Sequence, residues 1–280
     1  MRTSTLTSTP PLPRARTSPW PLALTASFAW HLLALTVVLA APQAWPWALL
    51  AVVANHLLVT AAGLWPRSRW LGDNLSHLPA RARARHEVAL TIDDGPDPEV
   101  TPQILEQLDA AGVRATFFCI AERAARHPEL VHEILRRGHG VENHSHRHPL
   151  LFSLWGPRAI DRELQAAQDA FATACGIRPS LFRAPAGLRN IFLEPVLRRH
   201  GLRLVSWTRR GYDTREKDPA RVLARLTTGL RSGDILLLHD GNAARTEAGH
   251  PVVLCVLPAL LAQCRSAGLR PVSLGTALAA

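Results

Sequence analysis

Two adjacent carboxylates, Asp93 and Asp94, stand where the short apolar run Glu87-Val88-Ala89-Leu90-Thr91-Ile92 stops and a Gly-Pro turn begins. Neighbouring like charges at a strand end are a liability in a purely structural turn. The pair makes sense if one carboxylate binds a cation and the other stays free to accept a proton. Downstream, Asn143-His144-Ser145-His146-Arg147-His148 places two histidines four residues apart. One turn of helix would set both imidazoles on one face, about 6 Å apart at the backbone. Two histidines and one carboxylate leave coordination positions open, which is the arrangement of a catalytic metal such as zinc. Each cluster alone has an inert reading. Asp-Asp-Gly-Pro makes a good solvated turn, and histidine is frequent here, with 13 in the chain. Together they favour a metal centre.

The elements that must position these residues alternate regularly. Strand-like segments at 138–142, 179–183, 202–207 and 234–241 follow the first one. Helical periodicity covers 101–111, 129–137, 157–174, 194–200, 219–230 and 252–267, and a glycine closes most of these runs. Strands alternating with helices predict a parallel sheet, and every polar candidate lies at a strand end. In a (β/α) barrel that end faces the site.

Thr91-Ile92-Asp93-Asp94-Gly95, His144-Ser145-x-x-His148, Arg183-x-Pro185-x-Gly187 and Leu236-Leu237-Leu238-His239-Asp240 occur in the order seen in the polysaccharide deacetylase family (NodB homology, carbohydrate esterase family 4). The resemblance runs from Glu87 to the C-terminus, about two-thirds of the chain. It implies a distorted (β/α) barrel that hydrolyses the N-acyl group, typically N-acetyl, of an amino sugar in a polysaccharide or lipid-linked glycan, using a divalent metal, Zn2+ first among candidates. Carried over residue by residue, it implies Asp93 as general base, Asp94, His144 and His148 as metal ligands, Arg183 as the residue orienting Asp93, and His239 as general acid. The backbone N–H of Ala186 is the implied oxyanion donor. The chemistry agrees: amide hydrolysis needs an activated water, a stabilised oxyanion and a protonated leaving amine.

The match has departures. Ser206-Trp207-Thr208-Arg209-Arg210-Gly211-Tyr212-Asp213 only partly fits the family's fourth motif. Trp207 is the expected wall of a sugar pocket, and Asp213 the expected partner of His239. Ala186 stands where many members carry an aromatic residue, which leaves the acetamide side more open. The competing reading is a noncatalytic glycan- or lipid-binding protein on a decayed barrel, and the complete set of six site residues argues against it.

The first third differs in kind. Residues 22–41 and 47–64 are almost wholly apolar, flanked by Trp20, Trp45, Trp47 and Trp65 as interfacial aromatics are. They read as two transmembrane helices forming a hairpin. A cleaved signal peptide would explain only the first run. Residues 1–19, rich in Ser, Thr and Pro, read as disordered. Residues 67–86 read as a basic linker, and 87–280 as the catalytic domain. Residues 1–86 hold eight basic side chains against one acid, Asp73. That excess, of the chain's net +10, flanks the apolar runs and suits anionic lipid headgroups rather than nucleic acid. The uncharged turn between the runs and the arginine-rich flanks predict an inner-membrane, multi-pass protein with a cytoplasmic catalytic domain. If the second run fails to cross, for Asn55 and His56 lie near its middle, the barrel faces outward. Cys119, Cys175, Cys255 and Cys264 show no ligand spacing and read as buried free thiols.

Overall fold

The computed structural model describes residues 21–279, so the expected disordered segment 1–19 lies outside the described residues. In chain order the elements are helices α1 (Leu22–Ala40), α2 (Trp45–Leu64) and α3 (Ala80–Ala84), strand β1 (Glu87–Asp93), α4 (Val100–Ala110), β2 (Thr116–Cys119), α5 (Ala121–Arg126), α6 (Pro128–Arg136), β3 (Gly140–Asn143), α7 (Pro157–Cys175), β4 (Leu181–Phe182), α8 (Leu193–Arg199), β5 (Arg203–Leu204), β6 (Arg209–Arg210), α9 (Pro219–Thr227), β7 (Ile235–His239), α10 (Val252–Ser266), β8 (Arg270–Val272) and α11 (Leu274–Leu278).

The strands form one parallel sheet in the order β5-β4-β3-β2-β1-β7-β6, with β8 on the start of β1. The sheet curls into the expected distorted (β/α) barrel. β5 and β6 are two halves of one broken strand: β5 pairs with β4, β6 pairs with β7, and residues 205–208 cross between the two sheet edges. Strand parity separates two apolar layers. Val88, Leu90 and Ile92 of β1, with Leu236 and Leu238 of β7, pack outward against the helices. Ala89, Ile235, Leu237 and Phe118 face inward, where Leu75, Leu78, Ala82, Leu274 and Leu278 fill the interior. By the same parity Asp93 and His239, two residues beyond inward-facing positions, turn toward the barrel axis.

Residues 67–86 are not a linker, contrary to the sequence reading. Leu71, Leu75, Leu78 and Ala82 are buried. Leu75 N–H donates to Leu204 O, and Ser206 N–H donates to Leu75 O, so this segment patches the break between β5 and β6. The arginines of the segment, Arg67 and Arg69 before these positions and Arg81, Arg83 and Arg85 around the last, masked a buried stripe at helix-like spacing. Ser232 Oγ donates to the carbonyl of Arg83, and the Arg81 guanidinium donates to Leu278 O, fastening the same segment at the barrel base.

α1 and α2 are long and apolar enough to cross a membrane, joined through a tight turn at Pro42–Ala44. Most of their large side chains are exposed; only Leu24, Ala48, Ala62 and Gly63 are buried. The length and position of α1 also fit a signal sequence. Polar groups meet between the two helices. Asn55 Nδ2 donates to Ser27 Oγ at 2.7 Å, the Nε2 atoms of His31 and His56 lie 3.2 Å apart, and Trp30 Nε1 donates to Ala51 O at 3.1 Å. The base of the hairpin is seated on the barrel: Leu71 packs with Leu24 and Ala62, with Ile191 alongside.

Candidate active site

Register brings the site together. Asp93 and His239 are paired positions on β1 and β7, Cys119 pairs with Asn143, and Asn143 with Phe182, so His144 and Arg183 emerge at the same level one residue further on. All four side chains therefore meet at the carboxyl ends of the strands.

Asp93 is almost fully buried and takes a 2.6 Å hydrogen bond from Arg183 Nη1. The same Nη1 donates to Thr91 Oγ1 at 2.9 Å, while Nε and Nη2 reach the carbonyls of Val205 and Ser206 at 3.4 and 3.2 Å. These carbonyls lie at the break in the β5/β6 strand, so one guanidinium fills a gap in the ladder and holds the carboxylate. Arg183 also lies 4.1 Å over the Phe118 ring. Burial lowers its pKa and Asp93 opposes the shift, the balance expected of an enclosed ion pair.

Asp94, His144 and His148 offer one ligand atom each, all within 4.8 Å of one another. His144 Nδ1 lies 2.8 Å from the carbonyl of Arg183, which can only accept; Nδ1 is therefore the donor. In the neutral ring Nε2 then presents a lone pair toward Asp94 Oδ1, 3.2 Å away. His148 Nε2 lies 3.5 Å from the same oxygen, which is buried without a hydrogen-bond partner. Three lone-pair donors converging on one point need a cation among them, so these residues fit a divalent metal. Without a metal the same carboxylates act on the rings instead. Burial pushes the His144 imidazolium down, but Asp93 and Asp94 outweigh it and raise its pKa. Burial also pushes the Asp94 carboxyl up, but His144 and its neighbours reverse this and hold it well below the usual carboxylate range.

The expected helical turn at 144–148 is absent. β3 ends at Asn143, and the segment is a loop with Ser145 and His148 at φ 67° and 55°. Glu163 of α7 accepts from the N–H groups of His146 and Arg147, and Ser145 Oγ accepts from His148 N. These bonds bring the two rings to 4.8 Å by a folded loop instead of by helical spacing. Asp94, Ala186 and Asn242 also have positive φ, so five of the seven such non-glycine residues among the described residues surround the site. Strained backbone concentrates where side-chain aim matters.

Asp213, fully buried, lies beside His239: Oδ1 is 2.9 Å from Nδ1 and Oδ2 accepts the His239 N–H at 2.8 Å. Burial lowers the His239 pKa, yet Asp213 outweighs it and lifts the imidazolium to about 9. Ala186 sits in the turn Pro185–Gly187, whose bonds come from Gly187 N to Ala184 O and Leu188 N to Pro185 O, leaving the Ala186 N–H out of the turn. Trp207 departs from its expected place. It is only 8% exposed, its indole lies under Gly187 and between Arg183 and Arg210, so it supports the loop more than it lines an open sugar pocket.

Three residues escaped the sequence reading. Asn242 Nδ2 donates to Asp94 Oδ2 at 3.1 Å. Arg123 donates to Asp94 O and to Asn242 Oδ1, tying α5 to both. Asp240 is buried, accepts from Thr101 Oγ1 at 2.6 Å, and is pushed up to about 7 by burial. The adjacency of Asp240 and Asn242 to His239 was the available clue; nothing in the sequence pointed to Arg123.

A profile of the family described as Polysaccharide deacetylase matches residues 80–205. The peptidoglycan-N-acetylglucosamine deacetylase of Bacillus cereus is 31% identical over 196 residues, covering 68% of this chain and 87% of that protein. A chitooligosaccharide deacetylase of Sinorhizobium fredii is 34% identical over 183 residues, covering 63% and 84%. Among solved structures, a family 4 carbohydrate esterase from Streptomyces lividans in complex with acetate superposes with a TM-score of 0.59 at 32% identity, covering 66% of this chain and 91% of that one. Sequence order, curled parallel sheet and these relatives agree: the chain belongs to the polysaccharide deacetylase family, carbohydrate esterase family 4, and is a hydrolase of carbon–nitrogen bonds in amides.

Proposed function

We propose that this protein removes the N-acetyl group of an amino sugar within a glycan, with a divalent metal, Zn2+ being the best fit, held by Asp94, His144 and His148. The observation that carries the reading is the unpartnered Asp94 oxygen facing two imidazole nitrogens, flanked by Asp93–Arg183 and His239–Asp213. When bound, the metal supplies Lewis-acid polarisation and lowers the pKa of water. Asp93, kept in place by Arg183, accepts the proton of the attacking water. The Ala186 N–H donates to the developing oxyanion. His239, charged through Asp213, delivers its proton from Nε2 to the departing amine as the carbon–nitrogen bond breaks, leaving acetate and the free amino sugar.

The relatives' names, covering peptidoglycan N-acetylglucosamine and chitooligosaccharide, support a glycan bearing N-acetylated glucosamine units. The apolar helices support membrane attachment through a two-span hairpin in the inner membrane, with the catalytic domain on the cytoplasmic face. Acetate release from N-acetylated oligosaccharides, measured with metal content on the same preparation, tests the reading. Release without bound metal, or metal without release from any N-acetylated sugar, would overturn it.

A further inference from the structure

The hairpin is joined to the catalytic mouth, not to the barrel's far end. Arg189 N–H donates to the carbonyl of Gly63 at the end of α2, and the two backbones are in contact there. The Arg189 side chain is buried and donates to the carbonyls of Ser68, Gly72 and Asp73. Arg189 lies in the loop after β4 that also carries Ala186, on the face where the strands end. The next residue, Asn190, donates to the carbonyls of Ser153 and Trp155 and so fastens the segment that follows His148. Gly63, the oxyanion loop and the 149–155 segment are thus successive neighbours on one face.

That segment is unusual for a water-exposed loop. Leu150, Leu151 and Leu154 are 88%, 62% and 75% exposed, and Phe192 adds a fourth apolar side chain. At the hairpin exit, Trp65 and Trp70 are also exposed, with Arg67 and Arg69 between them. Clustered aliphatic side chains suit acyl chains and offer a sugar polymer neither hydrogen bonds nor a stacking face. Indole and guanidinium groups around them match the composition of a headgroup layer.

We propose that the 149–155 segment and Phe192 form a rim resting in the bilayer beside the catalytic mouth, and that the substrate is an amino sugar carried on a lipid of that membrane. The proposal rests on the hairpin reading above and goes further: the same face that receives α2 also receives substrate, so the sugar reaches Asp93 and Asp94 from the headgroup layer.

The test uses the full chain in phosphatidylethanolamine/phosphatidylglycerol vesicles whose acyl chains carry bromine quenchers. An environment-sensitive fluorophore is attached at Leu151→Cys or, as a reference, at Leu35→Cys. Both carry Cys255→Ser, because Cys255, expected to be buried like the other three cysteines, is exposed. Quenching at both positions supports the proposal. Quenching at position 35 alone overturns it and leaves the hairpin in the membrane. Quenching at neither overturns the hairpin reading, and the rim with it. A second arm replaces Leu150, Leu151 and Leu154 by Ser. Turnover of vesicle-embedded N-acetylglucosaminyl lipid should fall by about tenfold or more, the loss of a modest apolar anchor, while turnover of soluble chitooligosaccharide stays within about twofold. Equal effects on the two substrates would overturn a lipid-carried substrate.

Discussion

Asp213 holds His239 at two atoms at once: one carboxylate oxygen lies 2.9 Å from the ring Nδ1, and the other takes the backbone N–H at 2.8 Å. With Nδ1 committed to Asp213, Nε2 is the ring atom left for substrate.

A general acid works only while protonated, so turnover should decline on the basic side as pH rises through the His239 value of about 9. Asp213→Asn removes the charge that opposes burial, and the basic limb should move to lower pH. His239→Ala should lower turnover by roughly 10²–10⁴-fold. A basic limb unchanged in Asp213→Asn would argue against this assignment.

The adjacent aspartates should separate cleanly. Asp93→Asn keeps the shape but cannot take a proton, so it should abolish turnover and retain metal. Asp94→Asn loses the charge that His144 and His148 converge on, so it should lose metal. Elemental analysis of both variants checks this, and equal metal loss would refute the division of roles.

Removing either imidazole, by His144→Ala or His148→Ala, should release metal and activity while the barrel stays folded. Chelator should reproduce the same loss reversibly in the unaltered protein. Wild-type metal content in either variant would mean that the ligand set is wrong.

Gly63→Ala offers a test of the hairpin junction in which two effects compete. An alanine in an ordinary helix gains about 1 kcal/mol over glycine. Here the new Cβ would run into the Arg189 carbonyl oxygen, backbone against backbone. Overpacking of that kind costs roughly 1–3 kcal/mol, so we expect a lower melting temperature of the full chain in detergent. A rise would show that α2 does not sit on this loop.

Sidedness has its own experiment. Arginines flank both outer ends of the hairpin, and the turn between the helices has no charge, so the barrel is expected on the cytoplasmic face. External protease on intact spheroplasts should leave it untouched, and its degradation would reverse the orientation.

The catalytic register was legible because β1 and β7 are buried apolar runs ending in chemistry, and parity then fixes which way Asp93 and His239 point. The role of 67–86 was not, because Leu71, Leu75, Leu78 and Ala82 are flanked by Arg67 and Arg69 on one side and Arg83 and Arg85 on the other, and their burial depends on a break in a distant strand. His144 and His148 do lie side by side, but on a folded loop and not by the helical spacing expected of them. Loop closure by Glu163 and Ser145 is a tertiary effect that residue spacing does not encode. Trp207 was expected to line a sugar pocket; Gly187 covers its indole instead.

The polar pairs between α1 and α2 bear on how the chain is made. Either helix alone would carry the Asn55 amide, or the Nε2 atom of His31 or His56, into lipid without its partner across the hairpin, while together they satisfy each other. On the proposed hairpin, the two segments would insert as one unit, the first held back until the second emerges. A truncation that removes one helix should harm biogenesis more than one that removes both.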